Sequence, residues 1–382
     1  MTDSSTSVRI TINGRFLTQP MSGVQRYGFE LLRALDRAAA AGSLSDLAFE
    51  VVVPARPTIT MPPLDAIRVR AVGRLRGHAW EQLELTRAAR ETVLFCPANT
   101  APLSALLGRT RTVVTIHSLS FLEARASYRL GFQLFYRALI PQALRRAAAV
   151  ITVSRTERDR ILERYPRAGP RLLAVDNGAV PESFGALLQE PAPPAPPRPF
   201  VLFVGTPMPS KNLALLVAAL ERIDPGNDFD LVVAGATAGA YRTSAVTASA
   251  AHGRLRFAGQ VTDDRRLVEL YRTATCLVQP SSYESSCLPP LEAMACGCPV
   301  VCSDLPTLRE RCQDAARYFV SGDELALAAA LGAVLRDASL RTELRARGLE
   351  QARGCSWDRC ALETAAILRS VGTGADPDPA MD

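Results

Sequence analysis

The chain has 382 residues, 48% hydrophobic, 21% charged and 6% aromatic, a composition that excludes a disordered or fibrous protein and suits two domains of ordinary size. Its formal net charge of +6 is carried by scattered arginines without interleaved aromatics, which excludes nucleic acid as the main partner. The start, Met-Thr-Asp-Ser-Ser-Thr-Ser, holds no signal-peptide apolar core, and no apolar run reaches the roughly 18 residues of a membrane span, so a cytoplasmic protein with its nine cysteines reduced is expected.

The first predicted element is the strand Val8-Arg-Ile-Thr-Ile12, followed by the long loop Asn13-Gly-Arg-Phe-Leu-Thr-Gln-Pro-Met-Ser-Gly-Val-Gln-Arg-Tyr27, which runs into an amphipathic helix. Gly14 and Gly23 let the backbone approach a ligand closely, and Ser22 is placed to cap the helix. Apolar runs at 48–53, 92–96, 111–116, 149–153 and 172–175 alternate with helical stretches. Strands apolar throughout and separated by helices imply a parallel sheet covered on both faces, with ligands at the carboxyl ends of the strands. Asn99, in Phe95-Cys-Pro-Ala-Asn-Thr100, reads either as a turn residue or as a rim residue. His117 ends the strand Thr112-Val-Val-Thr-Ile-His117 and reads equally as a ligand contact or as a satisfied structural histidine. The stretch from Tyr128 to Arg146 mixes apolar, aromatic and arginine positions. It is either a core-facing helix with snorkelling arginines or one that rests on an anionic membrane surface.

Glu190-Pro-Ala-Pro-Pro-Ala-Pro-Pro-Arg-Pro199 is semi-rigid and unable to enter a sheet. It sets the expected partition: a first domain over 1–189, a linker over 190–199, a second domain over 200–356, and a last helix with a loose tail over 357–382. The second domain repeats the pattern, with apolar runs at 200–204, 231–235, 255–257, 275–278 and 300–302. No glycine-rich dinucleotide fingerprint follows any strand, which disfavours NAD. Of 44 basic residues only Lys211 is lysine, in Phe200-Val-Leu-Phe-Val-Gly-Thr-Pro-Met-Pro-Ser-Lys-Asn-Leu213. A compact ammonium beside a helix start is placed to meet a diphosphate; the plainer reading is a solvated lysine. Asp228-Phe-Asp230 precedes its strand and Asp376-Pro-Asp378 lies in the tail, so both D-x-D copies are read as solvated and no metal is expected. Cys287, Cys296, Cys298 and Cys302, with no histidine nearby, read as buried small hydrophobes rather than a zinc site.

The most informative stretch is Pro280-Ser-Ser-Tyr-Glu-Ser-Ser-Cys-Leu-Pro-Pro-Leu-Glu-Ala-Met-Ala-Cys-Gly-Cys-Pro-Val-Val-Cys-Ser-Asp304. An apolar strand runs into a loop carrying Glu284; a diproline opens a helix bearing Glu292; Gly297 ends it. Free amides at such a helix start suit phosphate, while two carboxylates suit hydroxyls. A nucleotide sugar has both.

This segment resembles the E-x(7)-E signature of the retaining family 4 glycosyltransferases, in which the loop usually reads Glu-Gly-Phe-Gly-Leu-Pro; here it reads Glu284-Ser-Ser-Cys-Leu-Pro289, a bulkier phosphate loop. The segment around Lys211 is similar to the family's donor-phosphate contact, with Thr206 and Ser210 where many members carry Arg, and His117-Ser118 stands where they read His-Asp. The resemblance implies an α/β GT-B fold: two doubly wound, Rossmann-like domains facing an interdomain cleft, with the last helix returning to the first domain. It also implies retaining transfer of a hexose from a nucleotide sugar to a hydroxyl of a glycan or polyprenyl-diphosphate-linked glycan, in surface polysaccharide or glycolipid assembly, with peripheral contact at the inner face of the membrane. The nearest likeness is to bacterial mannosyl- and rhamnosyltransferases, so GDP-mannose is the expected donor. By the same resemblance Glu284, His117 and Lys211 are catalytic. Glu292 meets the ribose, and Gly23, Gly205, Thr206, Ser285, Ser286, Cys287, Leu288 and Val261 line the donor site. Arg15, Gln25, Arg26 and Asn99 face the acceptor. No cofactor or metal is implied, and the leaving phosphate itself takes the acceptor proton, which accounts for the lack of an obvious nucleophile and base pair. A nucleotide-sugar 2-epimerase and a non-catalytic nucleotide-sugar binder are the alternatives.

Overall fold

The computed structural model describes residues 7–55, 61–223, 228–236 and 255–375. They form two compact units: one from residues 7–119, 135–178 and 356 onward, the other from 120–134 and 179–355. The division departs from the one expected at the proline-rich stretch. The Ala179 amide donates to the Cys355 carbonyl at 3.0 Å, Ser183 bonds Asp264 at 2.5 Å, and Arg265 pairs with Glu190, which ties 179–190 to the second unit. Ser127 Oγ accepts the Ser210 amide at 3.1 Å and ties in the 120–134 segment.

The first unit is a seven-stranded parallel sheet: β1 (Val8–Asn13), β2 (Leu47–Pro54), β3 (Arg68–Val72), β4 (Val93–Cys96), β5 (Thr112–Thr115), β6 (Ala149–Thr152) and β7 (Leu172–Ala174), in the order β3-β2-β1-β4-β5-β6-β7. Every residue of β4, β5 and β6 is buried, as expected for strands covered on both faces. The helix Trp357–Thr373 belongs to this unit. Arg369 forks onto Asp46, Arg111 donates to the Val371 and Gly372 carbonyls, and a Cβ on Gly372 would lie 2.2 Å from Val8 Cγ1.

The second unit is a six-stranded parallel sheet: β8 (Phe200–Val204), β9 (Asp230–Ala234), β10 (Leu255–Gly259), β11 (Cys276–Gln279), β12 (Val300–Ser303) and β13 (Ala316–Phe319), in the order β10-β9-β8-β11-β12-β13. Strand alternation divides its core in two: Leu202, Val232, Leu277 and Val300 point to one face, Val201, Phe203, Leu231 and Val278 to the other. All nine cysteines are free and buried. Asp230 opens β9 at its amino end and is not solvated: Arg256 holds its carboxylate at 3.1 Å and Arg198 at 3.6 Å. Asp376 and Asp378 lie outside the described residues. Among the described residues no helix is long and apolar enough to cross a membrane.

In each sheet the strand order reverses at one place, between β1 and β4 in the first unit and between β8 and β11 in the second. Ligands of open α/β sheets gather at the carboxyl ends beside such points.

Candidate active site

In the second unit both strands at the reversal send loops off their carboxyl ends. Gly205 leaves β8 at φ +138°, a conformation that costs only glycine little. The 3-10 turn Pro209–Lys211 and left-handed Asn212 (φ +49°) then lead into the helix Leu213–Ile223. This path delivers Lys211 Nζ to Glu284 Oε1 at 2.6 Å, with the two side chains 16% and 8% exposed. The same oxygen accepts from Ser281 Oγ at 2.6 Å and from Gln279 Nε2, the side chain that ends β11. The loops are laced together by the Ser282 amide on the Ser210 carbonyl, 2.8 Å, and by the Thr307 hydroxyl on the Glu284 carbonyl, 3.0 Å. Cys287, at φ +58°, opens the helix Leu288–Ala295, whose buried Glu292 accepts from the Tyr271 hydroxyl at 2.8 Å. Burial, with the Glu284 charge added, pushes the Cys287 thiol well above its ordinary range, so it stays protonated and inert. At the next strand, a Cβ on Gly235 would sit 2.0 Å from the Gly205 carbonyl oxygen, so the turns after β8 and β9 nest only because position 235 lacks a Cβ, whereas Gly205 is needed for its φ.

In the first unit the strand ends carry a second polar cluster. Asn99, left-handed at φ +62°, accepts the His117 amide on Oδ1 at 2.7 Å. The His117 Nε2–H donates to the Pro97 carbonyl at 2.8 Å, and its ring meets Tyr27 edge-on with centroids 4.6 Å apart. Burial holds the imidazole pKa down to about 4 against the opposing pull of the Pro97 carbonyl, so the ring is neutral at physiological pH and Nδ1 carries a lone pair. Nearby, fully buried Glu81 accepts from Asn13 Nδ2 at 2.7 Å and from Thr100 Oγ1 at 2.8 and 2.9 Å, and lies 3.4 Å from Arg15 Nε and 3.1 Å from His78 Nδ1. Burial alone would raise its pKa; the bond from His78, the Arg15 charge and Thr100 outweigh it and hold the carboxyl below its usual range.

The sequence matches two family descriptions end to end: Glycosyltransferase Family 4 over residues 21–183 and Glycosyl transferases group 1 over residues 188–351. It is 30% identical to the O-antigen chain mannosyltransferase B of Escherichia coli, an alignment covering 66% of this chain and 69% of that one. The chain belongs to the family 4 glycosyltransferases. It is also 30% identical to an alpha-maltose-1-phosphate synthase of Mycolicibacterium smegmatis, over 70% of this chain and 75% of the relative. A sucrose-phosphate synthase from Thermosynechococcus elongatus superposes with a TM-score of 0.70 at 20% identity, covering 97% of this chain and 100% of the other, which makes the fold GT-B.

Of the residues that the sequence singled out in this glycosyltransferase, Gly205, Thr206, Lys211, Glu284, Ser285, Ser286, Cys287, Leu288 and Glu292 come together around the β8/β11 reversal, and Val261 follows β10 at the same edge of the sheet. Gly23, Gln25, Arg26, Asn99 and His117 belong to the first unit. Gly23 starts the helix Gly23–Ala40, exposed, and Gln25 is bonded to Gln19 and Ser22. Ser22 sits at the cap position, but its hydroxyl goes to the Gln25 side chain instead of a backbone amide. Arg15, expected to face the acceptor, is instead buried, with Nη2 on Thr100 Oγ1 at 2.9 Å and Nε beside Glu81. Asn99 is half-buried and left-handed in its turn, and its side chain holds the His117 amide. Glu81 and His78 were not legible beforehand: no motif marks them, and Glu81's partners stand 68 and 66 positions away at Asn13 and Arg15.

Proposed function

We propose that this glycosyltransferase moves a hexose, with mannose from GDP-mannose the favoured case, from a nucleotide sugar to a glycan hydroxyl with retention of configuration and without a metal. The observation that carries the reading is the Lys211–Glu284 pair, 2.6 Å apart beside the β8/β11 reversal, with Gln279 and Ser281 fixing the same carboxylate oxygen. Lys211 and the amides of 285–287 take the diphosphate, stabilising charge on the leaving group. Glu292 accepts from the ribose hydroxyls; Glu284 contacts the donor sugar and steadies positive charge at the anomeric carbon. Neutral His117 accepts from a sugar hydroxyl through Nδ1, and the leaving phosphate takes the acceptor proton. Gly23 and Gly205 leave room for the diphosphate, and Val261 lies by the base.

The E. coli relative named for mannosyl transfer favours mannose and polysaccharide assembly. A lipid-linked acceptor is supported by the helix Leu130–Arg146, where Leu130 and Leu134 are 69% and 57% exposed between exposed Arg129 and Arg137. Calorimetric titration of GDP, UDP, dTDP and ADP in EDTA tests the core of this reading. One nucleotide should bind at micromolar Kd and weaken in Lys211→Ala; no binding by any of them ends the assignment.

A further inference from the structure

After β3 the chain coils through Gly77–Trp80, a π-helical turn over Glu81–Leu85, and Thr86–Ala88. Such turns are rare and recur at functional sites. This one buries the Glu81 carboxylate between Asn13, the last residue of β1, and Thr100, just past β4. Those are the two strands of the first unit's reversal. An ionised carboxylate only accepts hydrogen bonds, so the proton between Glu81 Oε2 and His78 Nδ1 resides on the imidazole. In the neutral ring Nε2 then bears the lone pair. The His78 side chain is 40% exposed, and its ring centroid lies 4.5 Å from that of half-buried Phe135. His117, by contrast, is buried and has committed its Nε2 to Pro97. Burying Glu81 and Arg15 together contributes little to stability, which leaves orientation as the gain from the arrangement.

We propose that His78, oriented by Glu81, recognises the acceptor: Nε2 accepts a hydrogen bond from a hydroxyl of the acceptor glycan ring, and the apolar face of that ring rests on Phe135. Glu81 acts through His78 and is a positioning residue. The inference rests on the reading of the chain as a transferase to a glycan hydroxyl and names a contact within it.

The first test needs no acceptor. Long-range proton–nitrogen NMR correlations of histidine-labelled protein at neutral pH should show His78 as the Nδ1–H tautomer, shifting toward a mixture in Glu81→Gln; an Nε2–H tautomer in the wild type overturns the proposal. The second uses octyl α-mannoside as probe acceptor with the sugar form of whichever nucleotide binds. In His78→Asn the amide reproduces Nδ1 but not Nε2, and the acceptor KM should rise about two- to tenfold, the value of one lost neutral hydrogen bond, with kcat changed far less. His78→Gln, whose amide reaches the Nε2 position, should recover most of that loss. A wild-type acceptor KM in His78→Asn sinks the idea. Nucleotide affinity, measured alongside by calorimetry, should stay unchanged in these variants. A wild type that binds no nucleotide would instead overturn the donor reading, with the tautomer result standing apart.

Discussion

Replacing either partner of the Lys211–Glu284 pair should move nucleotide affinity in opposite directions. Lys211→Met removes the cation that meets the diphosphate. One charge-assisted hydrogen bond is worth about 1.5–3 kcal/mol, so GDP affinity should fall about tenfold to a hundredfold. The same change takes the charged partner from the Glu284 carboxylate, 8% exposed, and leaves the neutral donors Gln279 and Ser281 on the same oxygen. Those two donors keep the cost below that of a stripped buried charge, at about 1–3 kcal/mol. At about 2–4 °C per kcal/mol for a unit of this size, the melting temperature should drop by about 2–12 °C. Glu284→Gln keeps the shape and lets its amide oxygen accept from Lys211, while removing a negative charge that repels phosphate. GDP should bind as well or better, yet sugar transfer should fall about a hundredfold or more through loss of charge stabilisation. Calorimetry with GDP, thermal unfolding and a transfer assay on both single variants and the double variant give the coupling between them, expected at about 0.5–3 kcal/mol for residues in contact. Equal losses of GDP affinity in both single variants, or strict additivity, would refute the reasoning.

His117 gives a prediction in pH. The unfolded imidazole protonates below about 6.5, whereas the folded one resists until about 4, so the unfolded state binds more protons between those values and stability falls as pH drops through that window. The full contribution is about 3 kcal/mol. Urea unfolding of His117→Gln against wild type from pH 7 to 4 should show the wild type losing that margin and the variant running flatter. Gly235→Ala forces a methyl against the Gly205 carbonyl at 2.0 Å, where backbone must shift; nucleotide binding should be lost or drop more than tenfold in a protein that still folds, read by calorimetry and circular dichroism. Transfer activity should survive exhaustive EDTA treatment; recovery only on adding Mg²⁺ would contradict the metal-free mechanism. Among the described residues no group of three or more histidine, cysteine or acidic side chains could hold an ion.

The sequence announced what short-range chemistry writes. Central strands such as β4, β5 and β6 read as unbroken apolar runs because both faces are covered, and the β11 loop-helix read as a ligand site because its proline, glycine and glutamates fall within one stretch. Of the four edge strands, β7 and β10 were read but β3 and β13 escaped. In Arg68-Val-Arg-Ala-Val72 and Ala316-Arg-Tyr-Phe319 arginine interrupts the run, as an edge facing solvent allows, and Arg70 is used against Glu50 of the neighbouring strand at 2.7 Å. The Arg15 error has the same root in reverse. Arg15 was expected toward the acceptor from the family likeness of its loop, but Glu81, distant in sequence, neutralises it and draws it inside. The unit boundaries depended on hydrogen bonds such as Ala179 to Cys355, which no local pattern encodes.

That Lys211 is the only lysine also makes the protein its own spectroscopic probe. Reductive methylation with carbon-13 formaldehyde would label the Lys211 amine and the chain's α-amino group alone, and the former is the signal missing from Lys211→Arg; it sits on a side chain 16% exposed and bonded to Glu284. Its chemical shift would report, without a crystal, whether that ammonium is still shared with the carboxylate or has passed to a phosphate. A titration of nucleotides could then be read one atom from the ion pair itself.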